Sequence, residues 1–375
     1  MLRLILGLGL LGLTGWLVYA LVADGPGARH AVPASASGAG AQQASPSANS
    51  APNVASVPTE WTSSAQCRDC HTQIFDEWLA SPHANSWNNE DVRVQSKDFS
   101  NKVCIDCHAP QPVWESGIGE RVMPRAARRA EGVDCLTCHL LPDGRIAGTV
   151  ENPAAPCRPT IRRELQRVDF CAGCHDQHKT VQQWKATPFA EERIGCIQCH
   201  MPNRTADPAD GRVHTMPGGH YIEVVRSAVT LEATARPEGG FEVAVTNTGA
   251  GHSYPTDERS RASDLWWRPV TGPATDAAQL DANGVTKDGG DWRHLHRIRD
   301  PYRDETHLVS TLLMYGERRA LVIDDPDAAQ GVEVALVYKR APYYRDPTTG
   351  APIATESVTD PFIDSELVQR VVARP

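Results

Sequence analysis

The hydrophobic pattern divides the chain into four segments. Residues 4–23 form an apolar run without a charge, and residues 31–58 are mostly Ala, Ser, Pro, Gly, Gln and Asn. Between about residues 61 and 220, short helix-like runs alternate with loops. After residue 220, apolar and polar positions alternate with a period of two, which predicts β-strands.

The N-terminal apolar run has the length of a membrane-spanning helix. Its twenty residues exceed the roughly 7–15 of a cleavable signal and are enough to cross a bilayer. We predict a transmembrane anchor over residues 1–23, with Arg3 on the cytoplasmic side, and a disordered linker over residues 24–60. The alternative is a long signal peptide cut near residues 34–36. The first interpretation gives a periplasmic protein anchored to the inner membrane, and the second gives an exported soluble protein.

The alternating pattern predicts a β-rich C-terminal domain over residues 221–375. Apolar residues alternate over 229–235 and again over 241–245, and the turn-forming residues 237–240 lie between them. This arrangement is typical of a β-hairpin. The alternation recurs over residues 332–338, and no long helical period separates these segments. We therefore predict a β-sandwich-like fold for this part.

Ten of the 11 cysteines occur in five copies of the motif Cys-x-x-Cys-His. Two thiols at this spacing form thioethers with the vinyl groups of one haem, and the adjacent histidine binds the iron. A zinc site would not need a histidine after every second cysteine. The motifs therefore predict five covalently bound haem c groups. The attachment residues are Cys67, Cys70, Cys104, Cys107, Cys135, Cys138, Cys171, Cys174, Cys196 and Cys199, and the proximal ligands are His71, His108, His139, His175 and His200.

The five motifs lie within 134 residues, which is about 27 residues for each haem. So short a chain cannot enclose five macrocycles separately, so we expect the haems to pack against one another and to form the core. The predicted fold class is α+β, with a mostly helical, loop-rich pentahaem domain over residues 61–220 before the β-rich domain. Cys157 lies outside the motifs, and we expect a buried free thiol there. An intermolecular bridge and a sixth iron ligand are the alternatives.

Three segments around the motifs resemble multihaem cytochromes c. They are Trp78–His83, Glu131–Cys135 and Cys199–Pro202. The resemblance is to the group that includes hydroxylamine oxidoreductase and its tetrahaem electron acceptor. It covers about residues 61–220 and extends to Gly251–Thr256, where the family pattern ends in Pro-Thr-Gly and this chain has Asp257 instead. The resemblance implies haems in alternating stacked and perpendicular pairs, usually with histidine on both faces of the iron.

Nine histidines lie outside the motifs, and their positions select candidates for the distal iron ligands. His83 follows a helix-like run in which Ile74, Trp78 and Leu79 share one face, and its setting is similar to the family's distal ligand. A weak repeat at residues 184–189 has Phe189 where His83 stands in the first copy. The candidate distal ligands are His83, His178, His214, His220 and His252.

The remaining histidines and the methionines are weaker candidates. We expect surface or structural roles for His294, His296 and His307, and His30 lies in the predicted linker. Methionine ligation would raise the potential of a haem. The methionines available for it are Met123, Met201, Met216 and Met314, of which Met201 is too close to His200 to bind the same iron.

The net charge of the chain limits the kinds of molecule that it is expected to bind. The formal net charge is −9, and a net acidic chain is a poor match for nucleic acid. Haem propionates would add negative charge, so we expect redox protein partners with a basic docking patch. One basic cluster, Arg121, Arg125, Arg128 and Arg129, is expected to be a solvated helix face rather than an anion site. Trp266 and Trp267 are expected to be a core pair rather than a partner-binding patch.

Two functions fit these features. The first is a membrane-tethered periplasmic pentahaem cytochrome that carries electrons between redox partners, without substrate chemistry of its own. The alternative is an oxidoreductase that acts on a small nitrogen or sulfur oxo-species at one five-coordinate haem. None of the motifs reads Cys-x-x-Cys-Lys, the catalytic variant of the related pentahaem nitrite reductases. The first function is therefore our expectation.

Overall fold

The computed structural model describes residues 60–207, 210–256, 261–270, 292–301, 305, 307–341, 343–346, 348–358 and 360–375. The predicted membrane segment over residues 1–23 and the predicted linker, except for its last residue, lie outside these ranges. Within the described ranges, no helix has the length and apolar character needed to cross a bilayer. All described residues belong to one compact unit.

Short helices fill the part of the described chain that carries the motifs. They are α1 Thr72–Leu79, α2 Glu90–Gln95, α3 Val103–His108, α4 Val113–Ser116, α5 Cys135–His139, α6 Asp169–His175, α7 Thr180–Lys185, α8 Pro188–Glu191, α9 Cys196–His200 and α10 Ile222–Ala228. Helices α3, α5, α6 and α9 each contain one motif, so the two cysteines of the motif lie one turn apart. The first motif begins at the end of a 3₁₀-helix, Ser64–Cys67, and its histidine directly precedes α1.

The buried face of α1 differs from the expected one. Phe75 and Trp78 are buried, whereas Leu79 is 52% exposed. The helix-like run is therefore confirmed as α1, but Leu79, which the sequence places on one face with Ile74 and Trp78, is not part of the buried face. Phe75 and Trp78 are three residues apart and lie on the side of the helix that packs against the chain, and Leu79 lies on the edge of that side.

The strands follow after residue 228, apart from the two-residue pair of β1 Ala147–Gly148 and β2 Thr160–Ile161. They are β3 Val229–Ala235, β4 Phe241–Asn247, β5 Ala262–Pro269, β6 Arg293–Ile298, β7 Arg318–Ile323, β8 Val332–Lys339, β9 Tyr344–Arg345, β10 Pro352–Ile353 and β11 Glu366–Ala373. A four-stranded antiparallel sheet has the order β11-β8-β5-β6, and a three-stranded antiparallel sheet has the order β3-β4-β7. One cluster of buried side chains includes residues of both sheets, which pack face to face as the predicted β-sandwich-like part.

The predicted hairpin is confirmed in its register. Val229 pairs with Asn247 and Ala235 pairs with Phe241, across a turn in which Gly239 and Gly240 have φ values of +99° and +72°. The predicted strand at 332–338 is also confirmed as β8. All eight residues of β8 are buried, however, because the strand is covered on both faces.

Trp266 and Trp267 lie on opposite faces of β5 and are both buried. Trp267 belongs to the core between the two sheets, and Trp266 packs beside Tyr344 on the other face of the four-stranded sheet. Both residues are therefore part of the core, as expected.

Apolar packing is unequal in the two parts of the described chain. The core between the sheets contains twenty buried residues. In the helical part, each of three clusters contains three buried residues, and cysteines of the motifs pack against all three clusters. Clusters of this size provide little hydrophobic stabilisation without a further apolar group. The helical part therefore depends on the groups that its cysteines hold.

Asp264, on β5, forms a buried charged contact that we expect to stabilise the β-rich part. Its side chain is fully buried, accepts from Arg297 Nε at 2.7 Å and Nη2 at 2.8 Å, and accepts from the Tyr344 hydroxyl at 3.2 Å. Burial raises the pKa of Asp264, but Arg297 and His294 outweigh that effect and hold it at about 2. The stabilisation is therefore complete above the unfolded pKa of about 4 and is lost as the pH falls toward 2.

Asp264→Asn should lower the free energy of unfolding by about 3 kcal/mol at pH 7, because Arg297 loses its charged partner. Asp327→Asn, at a carboxylate whose side chain is 60% exposed, should cost less than about 1 kcal/mol. Urea unfolding followed by far-ultraviolet circular dichroism measures both variants. The difference between Asp264→Asn and the unchanged protein should shrink below about pH 4. Equal stability of the two variants at pH 7 would contradict the assignment.

Candidate haem sites

The segment before the third motif connects three parts of the helical region. The buried Asp134 side chain caps α5 by accepting from the backbone N–H of Thr137 at 2.8 Å and from its hydroxyl at 2.7 Å. The N–H of Val133 donates to the carbonyl of His83 at 2.9 Å. Gly132 has a φ of +61°, and a Cβ there would lie 2.4 Å from the same His83 carbonyl, so only glycine fits. The segment thus fixes the loop of His83 against the third motif.

The weak repeat noted in the sequence has a structural counterpart. Trp78 Nε1 donates to the carbonyl of Val133 at 2.8 Å, and Trp184 Nε1 donates to the carbonyl of Ile194 at 2.8 Å. Each carbonyl lies two residues before the first cysteine of a motif, at Cys135 and Cys196 respectively. The two tryptophans therefore fix a following motif in the same way, although only the first copy carries a histidine.

The expectation that the basic cluster around Arg125 is a solvated helix face is wrong. The Arg125 side chain is buried, and it donates to the carbonyls of Pro110, Ala127, Arg128 and Gly132 at 2.6–3.1 Å. The guanidinium also lies 3.3 Å from Asp134. Residues 121–128 are not helical, and only a short 3₁₀-helix, Arg129–Glu131, follows them, so most of these carbonyls are open to a side-chain donor. Arg125 is therefore a structural residue that holds the loops around the third motif.

Three motif histidines each lie close to one of the predicted distal histidines. The ring centres are 6.1 Å apart for His175 and His83, 6.4 Å for His139 and His214, and 6.4 Å for His200 and His252. An imidazole nitrogen lies about 2.0 Å from a first-row metal, and the ring centre lies about 1.1 Å behind that nitrogen. Two imidazoles on opposite sides of one iron therefore have centres about 6 Å apart. The observed separations fit an iron between each pair.

The hydrogen bonds of these histidine rings also favour iron binding. Nδ1 of five predicted ligands contacts a backbone carbonyl, which fixes the ring and leaves Nε2 for a metal. The pairs are His108 with Ser86 at 2.9 Å, His139 with Ala147 at 2.7 Å, His200 with Pro217 at 2.5 Å, His214 with Arg212 at 2.8 Å and His252 with Ser253 at 2.9 Å. His83 differs, because its Nδ1 contacts the Met216 thioether.

Burial keeps the candidate ligands neutral. Loss of hydration lowers the pKa of His83 to about 3, and it lowers those of His214 and His252 to about 4. Burial also lowers the pKa of His139. An imidazole must be unprotonated to bind a metal. These four side chains therefore meet that requirement at neutral pH.

The loop of His252 joins the sandwich to the helical region. Gln183, on α7, accepts from the N–H of Ser253 at 3.3 Å, and Asn247, at the end of β4, donates to the carbonyl of His252 at 2.8 Å. A Cβ on Gly251 would lie 3.1 Å from the Phe189 ring. The backbone at this glycine therefore lies close to Phe189, the residue that replaces histidine in the weak repeat, and Phe189 packs against the loop.

The other histidines have different surroundings. His220 Nε2 accepts from Arg261 Nη2 at 3.0 Å, which engages that lone pair, and His178 lies in the 3₁₀-helix Asp176–His178. His294 Nε2 lies 3.5 Å from Asp264 and its ring packs against Trp266, and His307 is exposed. The distal ligands for His71 and His108, for which His178 and His220 are candidates, stay predictions.

Contacts between cysteines order the motifs in space. Cysteines of different motifs lie near one another in three places: Cys67 near Cys135, Cys107 near Cys174, and Cys171 near Cys196. The neighbouring Cys135 and burial raise the pKa of the Cys67 thiol. The first motif therefore adjoins the third, and the fourth adjoins the second and the fifth. Cys138 of the third motif interacts electrostatically with both cysteines of the fourth, which connects the two groups.

Cys157 lies near the first motif. It is half-buried rather than fully buried, and Cys70 of that motif is near it. Burial raises the pKa of the Cys157 thiol, which keeps it protonated at neutral pH.

Comparisons with known proteins agree with this site. The family described as "Cytochrome c554 and c-prime" matches residues 66–140, which contain the first three motifs. The fold is similar to that of a penta-heme cytochrome c552 from Thermochromatium tepidum, with a TM-score of 0.54 and 18% identity over 84% of this chain and 98% of that one. No curated protein matches the chain. Neither similarity tests the resemblance to hydroxylamine oxidoreductase, which stays a prediction.

The motifs, the family match and the shared fold together support a multihaem c-type cytochrome with covalently bound haem. The sequence identifies the cysteines and histidines, but it does not predict the contacts of Arg125 and Gln183. No short motif marks either residue, because each acts through contacts to carbonyls or loops distant in sequence. The weak repeat of residues 78–83 at residues 184–189 is the sequence feature that could have predicted the matching hydrogen bonds of Trp78 and Trp184.

His252→Ala should leave all the covalent haem in place, because attachment needs only the cysteine pairs. It should convert one haem to high spin and raise its potential, because a neutral basic ligand is lost. Mass spectrometry counts the haems, and electron paramagnetic resonance measures the spin state. His307→Ala, at an exposed histidine, is the matched control. An unchanged low-spin count in fully loaded His252→Ala protein would contradict the pairing with His200.

Proposed function

We propose that this chain is a pentahaem c-type cytochrome that carries electrons between redox partners. The observation that carries the proposal is the closeness of cysteines from different motifs, because neighbouring cysteines would hold different haems close to one another. The haems of the first, third and fourth motifs would then form a series in that order. The haems of the second and the fifth motif would each lie beside that of the fourth. A continuous series of this kind suits electron transfer better than chemistry at one isolated centre.

The protein's part is to hold ligands in place. Haem supplies one-electron chemistry when it is bound. The carbonyls of Ala147, Pro217 and Ser253 orient His139, His200 and His252, and burial keeps the predicted distal imidazoles neutral. The paired imidazoles would hold the iron of a bound haem and would leave little room for a substrate beside it. The packing of the helical region therefore favours transfer over substrate binding.

We further propose that the cytochrome is periplasmic and tethered to the inner membrane. This part of the proposal rests on the apolar run at residues 4–23 and the polar segment at 31–58, together with the oxidising conditions that cysteine-rich exported proteins meet. Separation of membranes from soluble periplasm, with detection by haem staining, tests it. Haem in the soluble fraction, on a chain that begins after residue 30, would show cleavage instead.

The carrier function predicts that all haems in the oxidised protein are low-spin and six-coordinate. Electron paramagnetic resonance of the purified full chain measures this, with nitrite, hydroxylamine and sulfite as added probes. We expect no high-spin signal and no change of the spectrum with any probe. A high-spin haem that binds one of them would favour the alternative, an oxidoreductase acting on a small oxo-species.

The acidic charge predicts salt-dependent partner exchange. The chain carries a formal −9, to which propionates add. Its oxidation by a basic soluble cytochrome in stopped flow should slow by about tenfold from about 0.01 M to about 0.1 M ionic strength, since the Debye length falls from about 30 Å to about 10 Å. An acidic acceptor of similar potential is the control, and its rate should rise or stay constant. Equal salt dependence with the two acceptors would contradict a basic docking patch on the partner.

A further inference from the structure

His83 differs from the other predicted ligands in the group that its second ring nitrogen contacts. Five predicted axial histidines have Nδ1 against a backbone carbonyl, at 2.5–2.9 Å. His83 has Nδ1 against the thioether of Met216. The two residues are 133 positions apart in the sequence, so the contact depends on the packing of two distant loops.

The two kinds of acceptor affect a ligand differently. A carbonyl is a strong acceptor, which draws the Nδ1 proton toward itself and makes the imidazole a better donor to iron. Such a ligand favours the ferric state and lowers the potential. A thioether sulfur is only a weak acceptor. An imidazole bonded to sulfur is therefore a weaker donor to iron, and the potential of its haem should be higher.

The position of Met216 is determined by its neighbours. It has a φ of +48°, which is uncommon for a residue other than glycine and requires support from the surrounding structure. Its side chain packs against the cluster of Phe75, Trp78 and Ala84. The carbonyl of the next residue, Pro217, contacts Nδ1 of His200. One short segment therefore contacts a distal ligand opposite the fourth motif and the proximal ligand of the fifth.

The fourth motif occupies the branch point of the series. Its cysteines lie near those of the second and the fifth motif and near Cys138 of the third. His83, whose ring centre lies 6.1 Å from that of His175, also lies near His200 and His108. A haem at this point with a higher potential than its neighbours would collect electrons from more than one branch.

We infer that Met216 is a positioning residue that raises the potential of the fourth haem through His83. The inference rests on the proposed function, because it requires the pair of His83 and His175 to hold an iron. It assigns Met216 a role outside the iron coordination itself. The fourth haem then has a higher potential than the haems of His139 and His200, whose rings contact carbonyls.

Two substitutions separate acceptor strength from packing. Met216→Gln places an amide oxygen, a strong acceptor, at the same reach, and Met216→Leu removes the sulfur while keeping an apolar side chain of similar volume. Met123→Gln, at an exposed methionine of the same region, is the matched control. Redox titration of the full holoprotein, followed by electron paramagnetic resonance, measures the potential of each low-spin haem. His83→Ala identifies the relevant signal, which should be lost to high spin.

Met216→Gln should lower the potential of that one signal, while Met216→Leu leaves it unchanged or raises it and Met123→Gln shifts none. All three should keep the full haem count and the low-spin state. Unchanged potentials in Met216→Gln, or a shift of a different signal, would overturn the inference. Loss of a near-infrared sulfur-to-iron absorption band in Met216→Leu would overturn it too, because Met216 would then be a ligand. A high-spin signal in the unchanged protein would instead count against the proposed function.

Discussion

The helical region depends on one geometric constraint, the separation of paired imidazole rings by the space that an iron needs. Three pairs meet it, at 6.1–6.4 Å between ring centres. The partners in each pair come from distant parts of the chain. His252, for example, reaches His200 from the loop after β4. Meeting the constraint therefore requires the loops, the motif helices and one loop of the sandwich to be fixed relative to one another.

Much of the polar structure in the helical region serves this purpose. Asp134 caps the helix of the third motif, Arg125 holds the carbonyls around it, and Gly132 lets the chain approach His83. Buried apolar clusters there contain only three residues each, compared with twenty in the core between the sheets. The hydrophobic effect therefore contributes most to the sandwich, whereas the helical region relies more on hydrogen bonds and on haem. The two parts differ in what stabilises them.

Sequence patterns predicted the features that depend on local chemistry. The motifs, the β3–β4 hairpin and strand β8 have strong local signals, and three of the five predicted distal histidines stand opposite a motif histidine. The failures concern long-range contacts. The exposure of Leu79 and the burial of Arg125 depend on which loops pack against them. Helix α10 is also not predicted, because its seven residues lie in the segment that the sequence assigns to the β-rich domain. The sequence offers Met216 as a candidate ligand, but its contact with Nδ1 of His83 depends on a fold that no local pattern specifies.

The most direct test of this account is the location of the iron atoms. Anomalous diffraction at the iron edge, from crystals of the full holoprotein, measures it. The account predicts five irons, one between His83 and His175, one between His139 and His214 and one between His200 and His252. Fewer than five irons, or an iron that joins any of these histidines to a different partner, would contradict it.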